Sequence, residues 1–388
     1  MIFLGQASNY SAGQTLRQLF TRGKAKHSAE LKAALAKKYQ VFPSRSSKIQ
    51  YGPKVGGGIC ENAEDRIALY HTGRSALAAA LVAVAPKGSQ VVIQGLTCIA
   101  VARAVKAAGC EPVFADIDPE TLQYNPRSLA QTLKSHPKAK TIIIQNTLGI
   151  SSDIRLIEKI AERCQVKIVE DLAHSAGRFY ADGREMGTIG AAAVLSFGKG
   201  KAIDTISGGA LILRDFNCRM VNQPALLPKK ADRRRDRWYP MLGALMRLGY
   251  RLHIGKFIAG GFIKLHWIQR SADAELNLDV KLPHWQAKLA SRQLDNLPTG
   301  VLREHKFVKD RDQVLEELRE NGFMFDEIWY DVPVSPARYA DEVDFPEKKC
   351  PNTVDVASKI INLPTWYSPE KLLYAREIIS EHDFEEDE

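Results

Sequence analysis

The chain has 388 residues, 45% hydrophobic and 26% charged, the proportions of a soluble globular protein with two domains or one domain plus an elaboration, which excludes fibrous and disordered classes. Six scattered cysteines without a Cys-x-x-Cys pair exclude a zinc-finger or disulfide framework and fit a reducing cytosol, and neither a signal peptide nor a run of 18 apolar residues is read. The net charge of +9 is local, since between Lys229 and Arg270 eleven Lys or Arg stand against two Asp, which points to one anionic surface or partner.

In chain order, residues 29–39 (AELKAALAKKY) predict a helix, and the stretch 42–65, with Gly56-Gly57-Gly58 and two prolines, predicts a loop insertion. From Leu69 to Leu213, short apolar runs alternate with helical patterns. Strands are expected at VVIQ (from Val91), PVFADI (from Pro112), TIIIQN (from Thr141), VKIVED (from Val166), AVLSF (from Ala193) and ALILRD (from Ala210). Residues 99–108, 126–134 and 154–164 predict the intervening helices. This is the βαβ signature of an α/β fold with a mostly parallel sheet, and the last strands, joined through glycine turns, allow an antiparallel member. Residues 221–284 form a basic, amphipathic insertion. From Trp285 a long helical pattern, QAKLASRQLDNL and then VLREHKFVKDRDQVLEELREN, leads into a smaller C-terminal α+β portion, and EHDFEEDE reads as a solvated acidic tail. The domain division expected is 1–220, 221–284 and 285–388.

Ligands of open α/β sheets sit beyond the carboxyl ends of the strands, and four motifs fall there. His71-Thr72-Gly73-Arg74-Ser75-Ala76-Leu77 opens an Ala-rich helix, either an ordinary cap or a phosphate cradle of backbone N–H groups. Val169-Glu170-Asp171-Leu172 closes a strand, and Asp171 either caps the next segment or holds a cofactor's ring nitrogen protonated. Ser196-Phe197-Gly198-Lys199-Gly200-Lys201 sets two lysines among glycines, where a partly desolvated lysine can become a Schiff-base nucleophile. The spacing is not that of a P-loop. Ser207-Gly208-Gly209-Ala210 then turns the backbone back toward the lysines.

In this order the four motifs resemble the DegT–StrS family of sugar aminotransferases, over roughly residues 15–215 and again from Trp285 onward. The resemblance implies fold type I, pyridoxal 5′-phosphate, a homodimer, an amino donor and a keto-sugar substrate carried by a nucleotide or a lipid. The family spacing of Ser-Phe, three residues, Lys, and a Gly-Gly pair seven residues on selects Lys201 over Lys199 as the Schiff-base lysine. Carried over residue by residue, Asp171 pairs with the pyridine nitrogen, Ser196 binds the phosphate, and Gly73, Arg74 and Ser75 form its cradle. His174 stands where the family usually has glutamine near the ring hydroxyl. Three positions depart from the pattern: Cys98 replaces an aromatic residue, Ser207 a glutamate, and Asp279-Val280-Lys281 an Asn-x-Arg. Retention of Lys201 argues against the dehydratases of the family, which carry histidine there; decarboxylation and a non-enzymatic sensor or scaffold are the remaining alternatives. No metal site is read.

The basic stretch begins with Lys229, Lys230, Arg233, Arg234, Arg235 and Arg237, followed by Trp238, Tyr239 and a largely apolar run. Its two readings are a helix lying on an anionic membrane, which would place a cytoplasmic protein at the inner membrane face, and packing on the main domain or a dimer partner. A nucleic-acid partner is not expected, because the cations adjoin apolar residues rather than a polar groove.

Overall fold

The computed structural model describes residues 2–3, 10–41, 62–220, 223–252, 254–265, 267–325, 328–365 and 369–382. Most of the glycine-rich loop and of the acidic tail, together with His253 and His266, lies outside these residues.

Seven strands form the central sheet: β1 (Ile67–Tyr70), β2 (Gln90–Gln94), β3 (Glu111–Ala115), β4 (Ala139–Ile144), β5 (Lys167–Asp171), β6 (Ala192–Ser196) and β7 (Gly209–Leu213). Their spatial order is β1-β7-β6-β5-β4-β2-β3. The pairs from β6 through β5, β4 and β2 to β3 are parallel, while β7 runs antiparallel to both its neighbours. The antiparallel member allowed by the glycine turns is therefore β7. A strand buried on both faces has no alternation to read. β1 is such a strand, every residue of it buried, and the sequence pattern did not mark it off from the loop before it.

Helices α1 (Ala12–Phe20) and α2 (Ala25–Lys38) precede the sheet, and α3 (Gly73–Val84), α4 (Ile99–Ala107), α5 (Pro126–Ser135) and α6 (Ile154–Cys164) are its crossovers. Their apolar stripes build two cores, one on each face. Leu31, Leu35 and Tyr39 of the α2 region join Leu129, Ile157 and Leu195 on one side, and the alanines of α3 join Val91, Ile143 and Val194 on the other. The small side chains of α3 let this helix lie close under the sheet. The basic stretch forms α7 (Lys230–Arg251) and α8 (Gly255–Lys264), and α9 (His284–Leu294) packs its buried Ala287, Ala290 and Leu294 into the same core as α2. α10 (Arg311–Glu320), α11 (Pro351–Lys359) and α12 (Pro369–Glu381) complete the C-terminal part.

One sequence expectation is corrected. The long helical pattern after Trp285 is interrupted, because Arg303–Phe307 forms a strand antiparallel to Ile360–Pro364. Arg303 is fully buried there, its Nε donating to Asn362 Oδ1 at 2.5 Å and its Nη2 to Asn362 O at 3.0 Å, and these tertiary bonds override local helical propensity.

Candidate active site

A cavity of about 600 Å³ opens beyond the carboxyl ends of β2, β5 and β6, against the start of α3. Each motif singled out in the sequence contributes to its wall. Gly73, Arg74, Ser75, Cys98, Asp171, His174, Ser196, Lys201 and Ser207 all line it.

At the start of α3, Thr72 is the N-cap and its Oγ1 accepts from Ser75 N at 3.1 Å. The helix origin is pressed against the end of β6. A Cβ on Gly73 would stand 2.8 Å from both Cβ and Oγ of Ser196, and one on Gly209 would stand 2.6 Å from Gly73 Cα. No side chain fits at either point, so backbone N–H groups and the Ser196 hydroxyl face the cavity together, a suitable cradle for a phosphate. The Arg74 guanidinium is turned away from this turn, donating to the carbonyls of Ala272 and Ala274 at 2.9 and 2.5 Å.

The two lysines separate cleanly. Lys199 Nζ donates to Gln269 O at 2.8 Å and lies 4.5 Å from the ring centroid of Tyr239 on α7. Lys201 Nζ instead lies over Trp329, 4.4 Å from its centroid. Burial, partly offset by nearby acidic groups including Asp171 and reinforced by the Arg303 cation, lowers the Lys201 ammonium to about 8. Burial also raises the Asp171 carboxyl above the ordinary range, opposed by the Ala173 N–H that it accepts at 3.0 Å and by the Lys201 charge.

His174 is held from both sides. Its Nδ1 accepts from Leu148 N at 3.1 Å and lies 3.3 Å from the Tyr330 hydroxyl, and its ring stacks on Trp329 at 4.9 Å with 16° between the planes. Burial and the Lys201 and Arg303 charges keep it well below the usual imidazole range, hence neutral. Arg303 covers Trp329, its guanidinium carbon 4.6 Å from the ring centroid. Trp329, Tyr330 and Arg303 were not marked by the sequence; they come from the C-terminal part, and no local motif ties them to the sheet. Cys98 lines the cavity, and the aromatic surface of its wall comes from Tyr239, Trp329 and Tyr330.

Asp236 was also missed, hidden within the basic cluster. It is buried against the cavity, where its Oδ2 accepts from Ser207 Oγ at 2.5 Å and stands 3.8 Å from His71 Nε2. Gln286 Nε2 donates to the same Ser207 hydroxyl at 2.9 Å.

The residue set fits a phosphorylated pyridine aldehyde. It offers a phosphate cradle that a Cβ would fill, an amine of lowered basicity, a buried carboxylate, and aromatic surface whose Trp329 Nε1 is buried without a partner among the described residues.

The chain is similar to known aminotransferases. The sequence model of the DegT/DnrJ/EryC1/StrS aminotransferase family matches residues 62–253. The chain is 27% identical to GDP-perosamine synthase of Caulobacter vibrioides over 276 residues, 69% of this chain and 72% of that protein. It is 31% identical to L-glutamine:2-deoxy-scyllo-inosose aminotransferase of Streptomyces kanamyceticus over 128 residues, but this spans only 29% of that protein and 33% of this chain. Among solved structures, the DegT DnrJ EryC1 StrS aminotransferase from Brucella abortus superposes with a TM-score of 0.62 at 18% identity, covering 94% of this chain and 92% of its own. The PLP form of Spr1654 from Streptococcus pneumoniae superposes with a TM-score of 0.63 at 17% identity, covering 98% of both chains. At these identities the structural likeness is one of fold.

Proposed function

The chain belongs to the DegT/DnrJ/EryC1/StrS aminotransferase family, whose members use pyridoxal 5′-phosphate, and on that premise we propose that it aminates the keto group of a sugar carried by a nucleotide or a lipid, with Lys201 as the cofactor lysine. The observation that carries the assignment is the contrast between the two lysines: Lys201 opens into the cavity with lowered basicity, while Lys199 is tied to Gln269 and Tyr239. When bound, pyridoxal phosphate supplies an electron sink for the pair left by a broken C–H bond.

The chain's own groups do the rest. Lys201 holds the cofactor through its amine and, once displaced by an amino donor, moves a proton at Nζ as a positioned general base. Asp171 would hold a negative charge toward the ring nitrogen and so favour its protonated form. The Gly73–Ser75 turn and Ser196 bind the phosphate. His174, neutral, locked by Leu148 N and stacked on Trp329, would stand near the bound cofactor without adding a competing charge. The same reading includes a homodimer, which the family resemblance implies, and a peripheral contact of residues 229–270 with the cytoplasmic face of a membrane.

The test is a half-reaction. Purified protein given an amino donor such as glutamine or glutamate should pass to the pyridoxamine form, and a nucleotide- or lipid-linked keto-sugar should return it to the starting spectrum with an amino-sugar as product. Return with no amine on the sugar would contradict the reading.

A further inference from the structure

Helix α7 has apolar side chains on two opposite faces, and only one of them is covered. Its inner face is Asp232, Arg235, Asp236 and Tyr239 toward the cavity, continued by buried Leu242 and Met246. Its outer face is Lys230, Arg234, Trp238, Met241, Leu245, Leu248 and Leu252, reached by steps of three or four residues. At 3.6 residues per turn these seven fall within an arc of about 80°. All but Met241 are exposed; Trp238 is 42% accessible, Leu248 53% and Leu252 61%. A solvent-facing stripe of a soluble helix is ordinarily polar, and here it is polar only at its N-terminal end, where it is cationic.

Helix α8 packs beside the C-terminal end of this face. A Cβ on Gly249 would meet Ile258 Cδ1 at 2.4 Å, so the absence of a side chain there lets α8 fold back closely against α7. α8 and the segments flanking it leave Ile254, Phe257, Leu265 and Trp267 exposed, Phe257 by 84%, beside exposed Lys264 and Arg270. The two acidic residues of α7 both point inward. Among the described residues, this outer face therefore joins aliphatic and aromatic side chains to cations with no anion of its own.

We infer that the outer face of α7 and α8 lies in the headgroup region of an anionic lipid bilayer. The charge pattern favours this occupant over a second copy of the chain, because a two-fold contact sets the patch against itself, and a patch with cations and no anion offers those cations no partner. Neither helix is long and apolar enough to cross a membrane, which is the geometry of a helix lying flat with its apolar residues in the acyl boundary and its cations among the phosphates. The helix that lies on the bilayer is also a wall of the cavity, and the cavity rim carries exposed Leu226 and Leu227. Only the consequence for substrate rests on the aminotransferase reading: a sugar on a lipid carrier reaches the site without leaving the membrane surface.

The experiment is co-sedimentation of the full-length, cofactor-loaded protein with vesicles of phosphatidylcholine, with and without phosphatidylglycerol. Binding should require phosphatidylglycerol and weaken with added salt. Each of Lys230→Glu and Arg234→Glu should lower the partition at least about fivefold, and each of Leu248→Asp and Phe257→Asp more than about tenfold. The cofactor absorbance, read on the same samples, should be unchanged in all four variants, which separates loss of this surface from loss of the fold or of the catalytic reading. Absence of wild-type binding at low salt would overturn the proposal. So would variants that leave vesicle binding intact while reducing the mass of the particle in solution, the result expected of a contact between copies.

Discussion

Lys199 and Lys201 are two residues apart, yet the fold gives them different chemistry. The lysine near 8 holds roughly a tenth of its amine uncharged at pH 7, whereas an ordinary lysine near 10.4 holds less than about a thousandth. Two predictions belong to this scale. In protein stripped of cofactor, the rate of pyridoxal phosphate capture should climb with pH and level off near 8, as followed by absorbance; a climb continuing to pH 10 would mean that the amine is not desolvated. Asp171→Asn should retain the fold and bind cofactor but lose turnover, since an amide cannot hold the ring nitrogen protonated; a lost preorganised electrostatic contact costs about 2.7–4 kcal/mol of barrier, or roughly 10²–10³ in kcat. Unchanged kcat would reduce Asp171 to its bond with Ala173. In the sequence, only the resemblance to the family pattern pointed to Lys201. The burial and the Arg303 charge that lower its basicity were invisible there, because Arg303, like the Trp329 ring beside the amine, lies over 100 residues away along the chain.

At the scale of elements, the crossover helices and the sheet strands from β2 onward were legible because each strand ends where a polar or glycine-bearing turn begins. The exceptions have physical causes. β1 is short and buried on both faces, and Arg303–Phe307 is polar enough to read as helix until Ile360–Pro364 supplies its hydrogen-bond partners. In α7 the apolar and basic content was plain, but not its direction; only the packed helix shows that Asp236 turns inward to Ser207 and Trp238 outward. The junction of α3 and β6 offers a direct test. In Gly73→Ala, the new methyl group would press on Ser196, so the dissociation constant for pyridoxal phosphate should rise at least about tenfold, with stability falling by roughly 1–3 kcal/mol as for other overpacked sites. Titration of the stripped protein reads the first and thermal unfolding the second. Wild-type affinity in this variant would show that the turn does not hold the phosphate.

Over the whole molecule, the site is assembled from parts that no single stretch of sequence contains. The sheet contributes Asp171 and Ser196, α3 its first turn, α7 Asp236, and the C-terminal part Trp329, Tyr330 and Arg303. The proposed chemistry depends most on one covalent attachment within that assembly. Borohydride reduction of the cofactor-loaded protein, followed by proteolysis and peptide mapping, reads it directly. Label is predicted on Lys201, with Lys201→Ala unlabelled and colourless and Lys199→Ala labelled as in the wild type; label on Lys199 would contradict the account.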